Sequence, residues 1–394
     1  MDTNGPLDDP TFSLTDRRSE ERLQVPTPPP QAPDGLRRRV EAAVTNVRQR
    51  QLLSTNAFWT IFHGILGLGP GVTLKDPVAG NTFNALDHIT SGGDLRGLRF
   101  NHTPWGLDVQ LGPTMVGQGH QDQFTAEMTQ WSMPITRPFR VDGRDFTFMD
   151  FVKHSQMNAR TTASQELSWT VIQVGQHIGL DVTWTNRYGE KLHFEDMLRY
   201  ELDQSIEKAA CGGTHRLFGL SWCYHLHLIK GGKTEGVYKA IAEKTAKYRD
   251  RAREVQMPDG SFSTSYFSER AQIPDKVRRI NTTGHILEWL ALALTDDELV
   301  QPWVQDATNA LCMQILDLQG MPIESGSLYH AVHGLLIYYA RVYGRTDFIP
   351  KELAIPLPPG WGSHPRGISQ AIPSTSPRDL RPNRLGSLSW SRGS

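Results

Sequence analysis

Apolar residues between positions 36 and 53 fall at Leu36, Val40, Ala43, Val44, Val47 and Leu52, a roughly helical period set against an arginine-rich face. The spacing predicts an amphipathic helix there. Two more charged amphipathic helices are predicted at 234–255 and 296–318, the second opening on Asp296 and Asp297, acids suited to the positive end of a helix. A much more apolar segment follows each of the three. This alternation is expected of an outer helix facing water and an inner helix buried all round.

The apolar segments share a six-residue phrase. It reads His63-Gly-Ile-Leu-Gly-Leu68, His215-Arg-Leu-Phe-Gly-Leu220, His285-Ile-Leu-Glu-Trp-Leu290 and His330-Ala-Val-His-Gly-Leu335, with looser copies opening at His120 and Gln165. Positions 63, 120, 165, 215, 285 and 330 are separated by 57, 45, 50, 70 and 45 residues, close to the period of helical-hairpin repeats. A second echo pairs 143–152 with 189–198 through a Gly, Phe148/Phe194 and Asp150/Asp196, and predicts two successive outer helices. Six hairpins at this period predict an all-α fold closed into an (α/α)6 toroid, because an open solenoid needs polar capping repeats that neither end clearly supplies.

Composition sets the boundaries. Of 25 prolines, seven lie in 1–35 and seven in 351–394, together with Ser, Arg and Gly. Such segments bury little, so the expected organisation is a disordered tail at 1–35, the toroid at 36–350 and a second disordered tail at 351–394. Forty-one basic against forty-two acidic residues, without a dense basic stretch, argue against nucleic-acid binding. With no secretory signal pattern and no run of eighteen apolar residues, the expectation is a soluble cytoplasmic protein without a membrane span. Three cysteines cannot form a disulfide framework, and reduced thiols are expected.

Gln256, Gly260 and Phe262 resemble the Gln-x-x-x-Gly-x-Trp repeat of squalene cyclases and protein prenyltransferase β subunits, with Phe in place of Trp. Leu328-Tyr329-His330 is similar to the prenyltransferase segment whose histidine binds zinc. The resemblance implies the terpenoid cyclase/prenyltransferase-like toroid over roughly 36–350. More closely, 210–220, 258–264 and 283–290 resemble an uncharacterised planctomycete-type bacterial family, some members of which are labelled GTPase-activating proteins for ADP-ribosylation factors. Such activators use a four-cysteine zinc site, which Cys211, Cys223 and Cys312 cannot build. The catalytic motifs of related toroids are also replaced. Asp296-Asp297-Glu298 is not the Asp-x-Asp-Asp acid of the cyclases, and the prenyltransferase Asp and Cys positions hold Thr283 and His285.

The candidate chemistry is therefore carried by the phrase. In a closed toroid His63, His120, Gln165, His215, His285 and His330, with Trp169 and Trp289, are expected to line a central pocket. His215, His285 and His330, with Cys211 as a fourth ligand, are the candidate zinc set, since imidazole and thiolate both suit that ion. The competing expectation is that each histidine bonds a carbonyl within its own repeat. Three residues into the phrase the copies differ, and Glu288 and His333 are the candidate general base and acid. Two functions follow: an enzyme acting on a small or amphiphilic substrate or peptide ligand in that pocket, or a non-catalytic binding or scaffold protein on the same fold.

Overall fold

The structure is a computed structural model of the chain and describes residues 32–113 and 115–362. It is mostly helical. The helices are α1 Asp34–Arg48, α2 Phe58–Leu68, α3 Ala85–Thr90, α4 Gln123–Thr129, α5 Phe148–Asn158, α6 Thr170–His177 and α7 Phe194–Asp203. They continue as α8 Thr214–Ile229, α9 Gly236–Glu254, α10 Lys276–Ala293, α11 Asp296–Leu299, α12 Pro302–Leu316 and α13 Ser325–Val342. None of the described helices is long and apolar enough to cross a membrane.

The apolar helices pack on one another in a cycle. α2 touches α4, α4 touches α6, and the contacts pass through α8, α10 and α13 back to α2. The more polar α1, α5, α7 and α9, together with α12, lie against this inner set. The glycine of the phrase marks a close approach between adjacent segments. A Cβ on Gly67, Gly219 or Gly334 would lie under 3.0 Å from Tyr329, Ser168 or Glu288 of the neighbouring segment. Trp131 fills the space beneath and donates its indole N–H to the Leu66 carbonyl at 2.9 Å.

Short hairpins precede the early outer helices and were not expected from the sequence. β1 (Leu52–Leu53) pairs in parallel with β2 (Thr73–Lys75), which pairs antiparallel with β3 (Thr82–Asn84). Three two-stranded hairpins follow: β4 (Phe100–Thr103) with β5 (Gly106–Val109), β6 (Pro138–Val141) with β7 (Arg144–Thr147), and β8 (Thr183–Thr185) with β9 (Lys191–His193). The 143–152 echo is thus a hairpin running into a helix. Asp142 and Gly143 turn the chain at positive φ, Phe139 faces Phe146, and α5 begins only at Phe148. Its start is fixed by Asp150, whose Oδ2 accepts the Thr147 N–H at 2.7 Å, and Asp196 does the same for His193 at 2.7 Å.

Two boundaries also differ. The first helix ends at Arg48, because Leu52 and Leu53 join a strand. The expected helix at 296–318 is broken: Thr295 and Glu298 cap the single turn of α11, and Pro302, which has no amide hydrogen to donate, opens α12. The region from 351, expected to be a tail, is packed as far as 362. Leu353 is buried, the Ala354 amide bonds the Gln130 carbonyl at 2.8 Å, and Trp361 lies against His225 and Arg341. This strap covers the C-terminal ends of α8 and α13. The remainder of the two expected tails, 1–31 and 363–394, lies outside the described residues.

Candidate histidine centre

Five of the phrase histidines converge at the opposite end of the inner helices. His63 lies in mid α2, His120 in the loop before α4, His215 in the first turn of α8, His285 in mid α10 and His330 in the first turns of α13. Imidazole centroids are 4.3 Å apart for His285–His330 and 5.3 Å for both His215–His285 and His215–His330. His63 joins through His330 at 5.4 Å, and His120 through His215 at 5.1 Å.

Hydrogen bonding fixes which nitrogen each ring presents. A carbonyl oxygen only accepts, so His63 Nδ1 donates to the Trp59 carbonyl at 2.7 Å and His285 Nδ1 to the Asn281 carbonyl at 2.8 Å. Nδ1 of His330 bonds Glu288 Oε2 at 2.7 Å, and Nδ1 of His120 bonds Glu166 Oε2 at 2.8 Å. Both bonds match the histidine–carboxylate pairs that support metal ligands. In His120, His285 and His330 Nε2 is left with its lone pair, while in His63 it accepts the Gln123 side-chain amide at 3.2 Å. His215 is buried and neither of its nitrogens has a hydrogen-bond partner.

Burial holds His63, His215 and His285 neutral. It pushes His63 and His215 well below the ordinary imidazole range, with the neighbouring histidines adding to the effect, and takes His285 down to about 3. At neutral pH their lone pairs are therefore not lost to protons. Burial would raise Glu288, but His330 and His333 more than offset it and hold the carboxylate at about 2.

The rings surround a cavity of about 40 Å³, also lined by Trp59, Gln123, Cys211 and Glu324. Its rim is a chain of hydrogen bonds from Tyr266 to Asn281, Ser327, Glu324 and Trp59. Cys211 reaches the cavity because Cys211, Gly212 and Gly213 all adopt positive φ. Three sets of residues bring ligand atoms within 4.8 Å of one another: His215 with His285 and His330, His120 with Cys211 and His215, and His63 with Glu127 and His330.

Two expected lining residues are elsewhere. The Gln165 amide is spent on the Arg160 amide and the Asn158 carbonyl in its own loop, where no helix has yet begun. Trp289 points to the α8 side and donates to Ser221 Oγ at 3.1 Å. Trp169 does pack on His215, at 4.6 Å between centroids. Glu288 and His333 meet, but not across the cavity: Glu288 bridges His330 and His333, taking Nδ1–H of His333 on Oε1 at 2.6 Å. With both oxygens engaged, the carboxylate orients His330 rather than facing a reactant. The bland expectation, a bond from each histidine to a carbonyl of its own repeat, describes His63 and His285 only.

Sequence reasoning missed Glu127, Glu166, Trp59, Asn281 and Glu324. Trp59 and Asn281 stand four residues before His63 and His285, the offset at which a helical histidine reaches a carbonyl. That offset was a usable signal. Nothing in the local pattern marked Glu127, which is fully buried on α4 with Nε2 of His63 at 3.9 Å. Comparison with protein-family models, curated proteins and solved structures returned no match to this chain.

Proposed function

We propose that the chain is a metalloprotein built on an (α/α)6 toroid of the terpenoid cyclase/prenyltransferase-like architecture, in which the axial histidines bind zinc and activate water against a small substrate. The carrying observation is the set of three Nε2 lone pairs, on His120, His285 and His330, turned toward one cavity by rings whose Nδ1 hydrogens are already engaged, with a partnerless His215 among them. The unbroken cycle of inner-helix contacts supports the toroid. Imidazoles with a thiol beside them are a donor set suited to zinc.

Zinc with an open coordination position would bring the pKa of a bound water near neutrality. The chain's own residues supply orientation: Glu288 and Glu166 fix His330 and His120, and the Trp59–Glu324 bond at 2.8 Å ties α2 to the N-terminus of α13 at the mouth. A cavity of about 40 Å³ has room for no more than a few water-sized groups, at roughly 10–15 Å³ of such space each. The reading therefore narrows to a small polar reactant attacked at the mouth. The same tightness favours the second reading, a non-catalytic protein whose metal ties the inner helices together.

The test is elemental analysis of the full chain, followed by chelation, zinc titration and a screen for hydrolysis or hydration of small esters, phosphoesters and carbon dioxide. Stoichiometric zinc with zinc-dependent turnover is expected. Zinc without turnover selects the second reading. A chain that neither carries zinc nor binds it at micromolar concentration overturns both.

A further inference from the structure

We infer that the centre holds two divalent ions, one on His120, Cys211 and His215 near the mouth and one on His63, Glu127 and His330 beneath it. The inference rests on the zinc reading above and deepens it. Of the three ligand sets at the centre, these are the two that share no residue, and in each the ligand atoms lie within 4.8 Å of one another. Tetrahedral zinc with bonds of about 2.0–2.3 Å brings its ligand atoms to roughly 3.3–3.8 Å, so each set closes by about 1 Å. His285, beside both His215 and His330, stands between the two.

Three observations separate this from a single ion at His215, His285 and His330. Glu127 is fully buried, and neither of its oxygens has a partner at hydrogen-bond geometry. A buried carboxyl left so is costly, and a lone ion among the three histidines does nothing for it. Cys211 is held at φ 49 ahead of two glycines in the same left-handed region, a conformation non-glycine residues rarely adopt and one that brings the thiol to the histidines. The charges also divide evenly. Each set has one ligand that becomes an anion and one histidine backed by a carboxylate, Glu166 behind His120 and Glu288 behind His330. Loading is balanced by loss of the Cys211 thiol proton and the Glu127 carboxyl proton to solvent, two protons for the two sets.

The outer set, partly exposed at His120 and Cys211, is the one that meets a reactant. The inner set is buried throughout and closed.

Full-length chain is stripped with chelator, titrated with Co²⁺ and Zn²⁺ separately, and assayed for bound ion per chain, with anomalous scattering at the zinc edge from crystals of the unmutated protein as a measurement that needs no variant. Expected are two ions per chain and a near-ultraviolet thiolate-to-cobalt band. Glu127→Gln should fall to one ion and keep the band, and Cys211→Ser should fall to one ion and lose it. One ion per chain in the unmutated protein, or two ions retained by Glu127→Gln, overturns the dinuclear assignment while leaving the zinc reading intact. Absence of any bound ion overturns both.

Discussion

Glu288→Gln is the most informative single change, because it alters two hydrogen bonds and almost no volume. The carboxylate accepts Nδ1–H from His330 at 2.7 Å and from His333 at 2.6 Å, in a site nearly closed to solvent. A glutamine retains one acceptor and turns its amide hydrogens toward the other ring. One charge-assisted bond, worth about 1.5–3 kcal/mol, is lost and one buried donor is stranded at about 1–3 kcal/mol. The lowered pKa reflects the same two contacts. A carboxyl moved from 4.5 to about 2 has a charged form favoured by roughly 3 kcal/mol at about 1.4 kcal/mol per unit. That stability is present above pH 4.5 and is lost as pH falls through 2. The expected result is a loss of about 3 kcal/mol in urea denaturation at pH 7.5 with chelator present. In the same variant zinc affinity should fall about 10–100-fold, because His330 is no longer held in the tautomer that offers Nε2. A loss below about 1 kcal/mol together with unchanged affinity would refute the orienting role.

Other expectations test other parts of the molecule. Burial, with the Arg341 charge adding to it, holds His225 at about 3, so between pH 6.5 and 3 the unfolded chain takes up a proton that the folded chain refuses. Lowering pH from 7.5 to 5.0 should therefore cost about 2 kcal/mol through this residue, and His225→Gln should show a correspondingly flatter stability–pH curve in urea titrations. His215→Phe keeps a ring in place while removing two buried nitrogens without partners; it should leave the metal-free protein as stable or about 1–3 kcal/mol more so, and by calorimetry bind one zinc ion fewer than the unmutated chain. Gly334→Ala forces a Cβ to 2.8 Å from the Glu288 backbone, and thermal unfolding should report a loss of about 1–3 kcal/mol.

The inner helices were legible because burial all round leaves an apolar signature, and because their polar phrase recurs. His215, His285 and His330 could be paired with one another from that register alone. The hairpins were not legible. β6–β7 and β8–β9 are strands of three or four residues, too short for a period-2 pattern to emerge, and Phe148 and Phe194 follow them directly as helix-starting residues. Gln165 misled through register: it matches the phrase in sequence, but α6 starts five residues later and the loop is instead held by Tyr200 OH on the Gln165 amide and by Glu201 on Leu167 and Ser168. Glu127 was invisible for a different reason. Its place beneath His63 depends on how far α4 is rotated, and a seven-residue helix carries too little pattern to fix that rotation.

The strap at 353–362 has a consequence for traffic. It closes the C-terminal ends of α8 and α13, while Trp131, Trp222 and Trp289, all buried, fill the interior above it. Among the described residues that end is filled, and the cavity at the other end is lined by Trp59, Glu324 and Asn281. In the zinc reading, a reactant arriving past Trp59 and Glu324 would meet a departing molecule on the same side, so the mouth would have to be cleared before the next could enter.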